Sequence, residues 1–198
     1  MAEISAQQVK ELRVRTGAGI IDCRNALAEA NGDLEKAQLV LRAKGLAAAE
    51  KKSGRVAKEG LVEAYIHSEG RLGVLVEVNC ETDFVARTPE FKTLAHDVAL
   101  QIAATDPRYV SRDEVPAEVI VTEREVYLAQ AKAEGKPDHI APKIAEGKLE
   151  KWFATVCLLD QPFVRDDSRK IADVVKAAIA KTGENIQIRR FARFRLGE

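Results

Sequence analysis

Hydrophobic positions follow three patterns along the chain. They recur at helical spacing through the N-terminal segment, alternate with polar ones from Val62 to Cys80, and return to helical spacing from Phe91 until a last alternating run begins at Ile186. In the first pattern, Ser5 with Gln8 makes a capping box for a short helix that carries Val9 and Leu12 on one face. Thr16-Gly17-Ala18-Gly19 breaks it. A second helix starts near Ile20 and carries Ile21, Leu27 and Ala30 to Asn31-Gly32, where Gly32 suits a left-handed terminus. Asp33 caps a third, with Leu34, Ala37, Val40 and Leu41 inward, which Gly45 is expected to end. The result is a three-helix bundle with a thin core.

From Ala47 to Lys58 no apolar period exists, so a solvated linker and a domain boundary are expected there. The alternating stretch predicts a β-hairpin. Val62, Ala64 and Ile66 face one way, Ser68-Glu69-Gly70-Arg71 turns, and Leu72, Val74, Val76, Val78 and Cys80 form the buried face of the return strand. Thr88-Pro89 opens the clearest helix, with Phe91, Leu94, Ala95, Val98, Ala99 and Ile102 placed to cover the hairpin. Ser111 with Glu114 predicts a capping box before Val119, Val126 and Ala131, closed by Gly135. Asp138 is expected to start a helix through Ile140, Ile144, Leu149, Phe153 and Val156. Leu158 to Val164 reads as a loop around Pro162. Ser168 is expected to cap a helix of Ile171, Val174, Val175, Ala178 and Ile179 that Gly183 closes. The final strand shows Ile186 and Ile188 and then Phe191, one residue out of step, as a bulge produces. The fold class is α+β, with a helical N-terminal domain, a three-stranded antiparallel sheet and flanking helices.

A chain of 198 residues can bury about 70% of its unfolded surface and needs no disulfide or metal to fold. Its 31 Lys plus Arg balance 31 Asp plus Glu, which argues against a free-standing polyanion binder. Cys23, Cys80 and Cys157 are odd in number and widely spaced, as in a reduced cytosol. No basic-then-apolar leader opens the sequence, and no apolar run nears the roughly 20 residues that span a bilayer. A soluble, unexported, cytoplasmic protein is expected.

Catalytic signals are sparse. His67, His96 and His139 sit in separate elements without metalloprotease spacing, and no Gly-x-Ser-x-Gly is present. Thr16 to Gly19 follows a helix and lacks the Lys-Ser/Thr of a phosphate loop, so it is a turn. Arg189, Arg190, Arg193 and Arg195 read as a solvated strand face that discourages edge pairing, with an RNA patch as the alternative. The unusual segment is Glu81-Thr82-Asp83-Phe84-Val85-Ala86-Arg87. Read from the residues alone, Phe84 is a buried plug beside an N-cap.

Thr82 to Arg87 resembles the Thr-Asp-Phe-Val-Ala signature of the bacterial translation elongation factor Ts family. Leu12-Arg13-Val14-Arg15-Thr16-Gly17-Ala18-Gly19 before Ile20-Ile21-Asp22, Asn79-Cys80-Glu81 and Gln161-Pro162-Phe163-Val164 match it in the same order. The resemblance implies a ubiquitin-associated-like domain over 1–46, a linker over 47–58 and an α+β core and dimerisation domain over 59–198. It implies a guanine nucleotide exchange factor that binds GDP-bound or nucleotide-free elongation factor Tu, dislodges Mg²⁺ and promotes GDP release so that GTP can bind. Thr82, Asp83, Phe84 and Val85 would act at the partner's Mg²⁺ site, with Arg13, Ile20 and Ile21 gripping its GTP-binding domain. No enzymatic chemistry, no cofactor, no metal of its own, no direct nucleic-acid partner and no membrane are implied. A homodimer through the sheet is expected, without the disulfide of some short members, because Ala192 stands at the position of their bridging cysteine. A ribosome- or RNA-associated adaptor is the competing reading, and an enzyme using Asp83 as a general base is the third.

Overall fold

Capping residues, glycines and prolines cut the chain into α1 (Ala6–Thr16), α2 (Ile20–Glu29), α3 (Leu34–Glu50), β1 (Glu59–His67), β2 (Leu72–Cys80), α4 (Asp83–Ala86), α5 (Pro89–Thr105), α6 (Ala117–Ala133), α7 (Ala141–Val156), β3 (Pro162–Phe163), β4 (Asp166–Lys170), α8 (Ile171–Thr182) and β5 (Ile186–Arg195). The computed structural model describes residues 4–198. Residues 1–3, part of the stretch read above for a leader, lie outside it. The chain divides into two units. One runs to Leu61 and takes in Val78–Leu94 and Asp173–Gln187; the other consists of Val62–Glu77, Ala95–Ala172 and Ile188–Glu198.

The first unit holds the three-helix bundle. Ser5 Oγ accepts from the Gln8 amide at 3.2 Å and Gln8 Oε1 accepts from the Ser5 amide at 2.9 Å, which is the expected capping box. Asp33 Oδ1 caps α3 by accepting from the Glu35 and Lys36 amides, both at 3.0 Å. Leu12, Cys23, Ala26, Leu27, Ala30 and Ala37 are buried between the helices, with Val9, Leu34, Val40 and Leu41 packed against them. Small side chains at half of these positions bring the helices close and keep the core thin.

One expectation for the bundle's end is corrected. Gly45 does not stop α3, which continues to Glu50. A Cβ at Gly45 would lie 3.0 Å from the Ala180 Cβ, so the glycine serves a close approach of α8 instead of a terminus. Arg42 with Asp173 and Lys176 with Glu50, both at 3.6 Å, flank that contact. The segment beyond α3 is tied to the end of α8. Asn185 is buried and its Nδ2 donates to the carbonyls of Ser53 and Arg55 at 3.2 and 2.6 Å.

The antiparallel sheet has the order β1-β2-β5, with β2 in the middle. Leu72, Val74, Val76, Val78 and Cys80 are all buried, as the alternation predicts. Val62, Ile66 and Leu75 are exposed. A Cβ on Gly73 would sit 3.2 Å from Ile66 Cδ1, so Ile66 shares its sheet face with Gly73 and, by alternation, with Leu75. Thr88 caps α5, its Oγ1 accepting from the Phe91 amide at 3.3 Å. The predicted apolar stripe from Phe91 to Ile102 is buried. His96 lies 3.0 Å from Glu63 and edge-on to Tyr65, which puts α5 over the inner side of β1.

In the second unit α6 and α7 form a helical hairpin around Val115, Leu149, Phe153 and Val156. Arg112 fastens it. Its guanidinium bonds both oxygens of Asp160 at 2.8 and 2.9 Å and both of Glu150 at 2.8 Å, and stacks 4.5 Å from the Phe153 ring centre. The bonds from Arg112 hold the Glu150 carboxyl below the ordinary range.

Local signals misread four features here. Ser111 and Glu114 do not form a capping box: Glu114 accepts from the Val110 amide at 2.8 Å, and α6 starts after Pro116. Pro142 is tolerated only in a first helical turn, so α7 begins at Ala141 and not at Asp138. The segment around Pro162 is not plain loop, because Phe163 pairs with Asp166 and Pro162 with Lys170 in a two-stranded antiparallel sheet. Ser168 belongs to β4, where its hydroxyl donates to Asp166 at 2.6 Å, and it caps no helix. Buried Gln101 secures this region by donating to Gln161 Oε1 at 3.1 Å and to the Pro162 carbonyl at 3.0 Å. It also accepts from the Val164 amide at 2.8 Å.

Candidate functional site

Two apolar protrusions stand on the first unit. At the end of β2 the buried thiol of Cys80 donates to the Thr82 carbonyl at 3.1 Å, and α4 begins immediately. Burial and then the nearby Glu184 carboxylate push this thiol up to about 11. Thr82 is the N-cap, its Oγ1 accepting from the Val85 amide at 3.4 Å. The same residue is gripped from the far end of the chain. Its amide donates to Glu184 Oε2 at 3.0 Å and its hydroxyl to Glu184 Oε1 at 2.6 Å. Next door, the Asn185 amide donates to Glu81 Oε1 at 2.6 Å.

The other end of α4 is equally constrained. Ala86 is buried, and Thr88 Oγ1 donates to the Val85 carbonyl at 2.7 Å. Arg87 pairs with Asp83 at 2.7 Å on the surface. Phe84 is 78% exposed between these fixed ends. The plug reading of Phe84 is therefore overturned. Ala86 takes the inward side of the turn, and Phe84, two residues before it, falls on the opposite side, so the aromatic ring goes to solvent.

The second protrusion is the start of α2. Thr16 Oγ1 donates to the Leu12 carbonyl at 2.7 Å and accepts from the Ala18 amide at 3.3 Å, which closes the turn after α1. Gly17 adopts a left-handed φ of 69°. The Lys181 side chain lies over it, its Cε 3.2 Å from where a Cβ would be, and its Nζ reaches Glu90 at 3.1 Å. Ile20 is 58% exposed and Ile21 74% exposed. Ile21, read above on one helical face with Leu27 and Ala30, thus does not join the core. Cys23, Ala26, Leu27 and Ala30 occupy the inward face, and side chains lean toward the helix N-terminus, so Ile20 projects past the bundle's end. Arg13 is exposed on α1.

Comparison with known proteins identifies the family of the chain that carries these protrusions. The sequence model of the family described as Elongation factor TS matches residues 48–198. A protein named elongation factor Ts from Carboxydothermus hydrogenoformans is 62% identical over 195 residues, covering 98% of this chain and 90% of the relative. The chain belongs to the elongation factor Ts family. A second relative of that name, from Caldanaerobacter subterraneus subsp. tengcongensis, is 60% identical over 195 residues, with 98% of both chains covered. A third, from Anaeromyxobacter sp. (strain Fw109-5), is 61% identical over 198 residues, 100% of this chain and 90% of its own.

In this elongation factor Ts family member the first unit contains all seven residues singled out from sequence, Arg13, Ile20 and Ile21 near the α1–α2 turn and Thr82, Asp83, Phe84 and Val85 on the corner. Sequence reasoning missed Val14 and Leu39, both exposed. Each lies two residues past an inward position, Leu12 and Ala37, and is out of phase with its helix's buried stripe. It also missed Glu184 and Lys181, whose role depends on contacts across the chain that no local pattern carries. The Arg-rich strand is mostly paired internally: Arg190 with Glu77 at 2.7 Å, Arg193 with Asp106 at 3.2 Å and Arg195 with Glu198 at 3.1 Å. Among the described residues no cluster of His, Cys, Asp or Glu is arranged to hold a metal, and no helix is long and apolar enough to cross a membrane.

Proposed function

We propose that the chain is the guanine nucleotide exchange factor of elongation factor Tu, acting in the cytoplasm without breaking a covalent bond. The observation that carries this reading is Phe84, an exposed aromatic ring on a turn constrained at both ends, beside the carboxylate of Asp83. Releasing a nucleotide held at nanomolar affinity a thousandfold faster requires lowering the barrier by about 4 kcal/mol of the roughly 12 kcal/mol of binding. Burying a Phe side chain in a partner contributes about 1.5 to 3 kcal/mol, and the anchoring contacts add to it.

In this reading Phe84 is the wedge, and Asp83 perturbs the shell of the partner's Mg²⁺, an ion that demands near-octahedral oxygen geometry and bridges the nucleotide phosphates. Thr82 and Val85 set the corner's shape. Arg13, Ile20 and Ile21 grip the GTP-binding domain. Residues 1–46 form the gripping, ubiquitin-associated-like domain, 47–58 the connection and 59–198 the core. Nucleotide and factor weaken each other by the same coupling, so GTP binding expels the factor and the nucleotide pool sets the direction. The outer sheet face bearing Val62, Ile66 and Leu75 pairs two copies in a noncovalent homodimer, for which Ala192 supplies no bridging thiol.

The test is release of fluorescent GDP from purified elongation factor Tu with and without the chain. Acceleration of at least about a hundredfold at micromolar factor is expected. Release at the intrinsic rate would overturn the reading.

A further inference from the structure

We propose that Glu184 is a positioning residue for exchange: it orients the Thr82 cap, and through it the turn that presents Phe84. The inference rests on the exchange reading above. Glu184 directly follows Gly183, whose left-handed φ of 81° ends α8, and it meets Thr82 across 102 residues of sequence. Its two oxygens divide the work. Oε2 takes the Thr82 amide at 3.0 Å and Oε1 takes the Thr82 hydroxyl at 2.6 Å.

The hydroxyl bond has a directional consequence. A threonine hydroxyl has one proton and two lone pairs. Because that proton points at Glu184, a lone pair faces the Val85 amide 3.4 Å away. A carboxylate acceptor strengthens the donor and polarises the oxygen beyond it, so the long cap bond depends on the short one. Phe84, exposed as it is, takes its direction from the backbone of α4 alone. That backbone has few supports: the Thr82 cap, buried Ala86, the Thr88 bond to Val85 and the Asp83–Arg87 pair. Glu184 governs the first of them, and both of its oxygens are taken up by Thr82 instead of being offered to a partner. Its loss is expected to spare encounter and impair the step in which the wedge enters.

The experiment measures GDP release from elongation factor Tu against factor concentration for the full chain and for Glu184→Ala, Glu184→Gln, Thr82→Val and the Glu184→Ala/Thr82→Val pair. Glu184→Ala should lower the maximal release rate about tenfold and shift the half-saturating concentration less than about threefold. Thr82→Val, which loses the hydroxyl but keeps the backbone amide's bond to Oε2, should lower the maximal rate by no more than that. The double variant should be no slower than Glu184→Ala, since the hydroxyl acts through the acceptor that this variant removes. Glu184→Gln, which keeps one carbonyl acceptor, should fall between Glu184→Ala and the unaltered chain, and it decides the question should Glu184→Ala fail to fold. An unchanged maximal rate, a loss confined to half-saturation, or additive effects in the double variant would each overturn the proposal. Amide hydrogen exchange supplies a readout independent of the partner: Val85 should exchange about tenfold faster in both Glu184 variants, and unaltered protection rejects the positioning role. If the unaltered chain fails to accelerate GDP release, the exchange reading fails, while the amide data still judge the link from Glu184 to the turn.

Discussion

The α1–α2 turn and the α4 corner both hold apolar side chains out to solvent, and they do so by different means. Ile20 and Ile21 ride on a bundle whose helices are fixed by buried Leu12, Cys23, Ala26 and Leu27. Phe84 rides on a four-residue helix that buries Ala86 and is otherwise fixed chiefly by individual polar atoms from Glu184 and Thr88. Apolar packing is spread over many weak contacts and is forgiving of changes at its rim. A hydrogen-bonded corner is specified by a few directional groups, and one atom alters it. The first design suits a surface that anchors, and the second suits one that must present a ring at a defined angle.

The largest effect should come from attacking the packed side of this comparison at its centre. Leu12→Ala is expected to cost about 3 to 5 kcal/mol of bundle stability, because the side chain is fully buried and the small neighbours cannot refill its volume. Urea unfolding followed by circular dichroism checks it. A loss below about 1 kcal/mol would show that the bundle is not held by this core. Next in size is Phe84→Ala, which should reduce maximal GDP release at least about tenfold while moving the melting temperature by less than about 2 °C. A collapse of melting temperature with normal release in the folded fraction would mark Phe84 as structural after all.

Ile20→Asp combined with Ile21→Asp should separate anchoring from action. The half-saturating factor concentration is expected to rise about tenfold, with the maximal rate held within about threefold. A saturated rate as low as that of Phe84→Ala would merge the two roles. The smallest effect belongs to Arg87→Ala. Its pair with Asp83 is an exposed contact one helical turn apart, worth roughly 0.3 to 0.5 kcal/mol. Melting temperature and exchange rate should both stay close to those of the unaltered chain, and a tenfold loss of exchange would give Arg87 a direct part in the partner contact.

Much of this arrangement is legible in the sequence, for reasons that particular residues make plain. The Ser5–Gln8 box, the Asp33 cap and the alternation from Leu72 to Cys80 are local signals with one physical solution each, and all three hold. Gly45 misleads because a glycine that ends a helix and one that admits a neighbouring helix look alike until Ala180 arrives beside it. Ser111 and Ser168 misleadingly follow the capping pattern: Glu114 bonds the Val110 amide instead, and Asp166 engages the Ser168 hydroxyl. The segment from Thr82 to Val85 stands out as a motif, yet its residues alone favour a buried Phe84. Exposure of that ring depends on Ala86 facing inward, which turns Phe84, two residues before it, to the opposite side. Glu184 is invisible locally, since its partner is over a hundred residues away.

Lys181 gives the two protrusions a common reference. Its side chain covers Gly17 at the turn before Ile20, its ammonium holds Glu90 in the first turn of α5, and three residues further on Glu184 holds Thr82. Both apolar contacts are thus referred to the last turn of α8. For a partner that engages both, the second contact forms within a molecule already captured by the first, at an effective concentration set by this spacing instead of by the concentration in solution. The turn of α8 thereby acts as the short, stiff bridge of a chelating ligand.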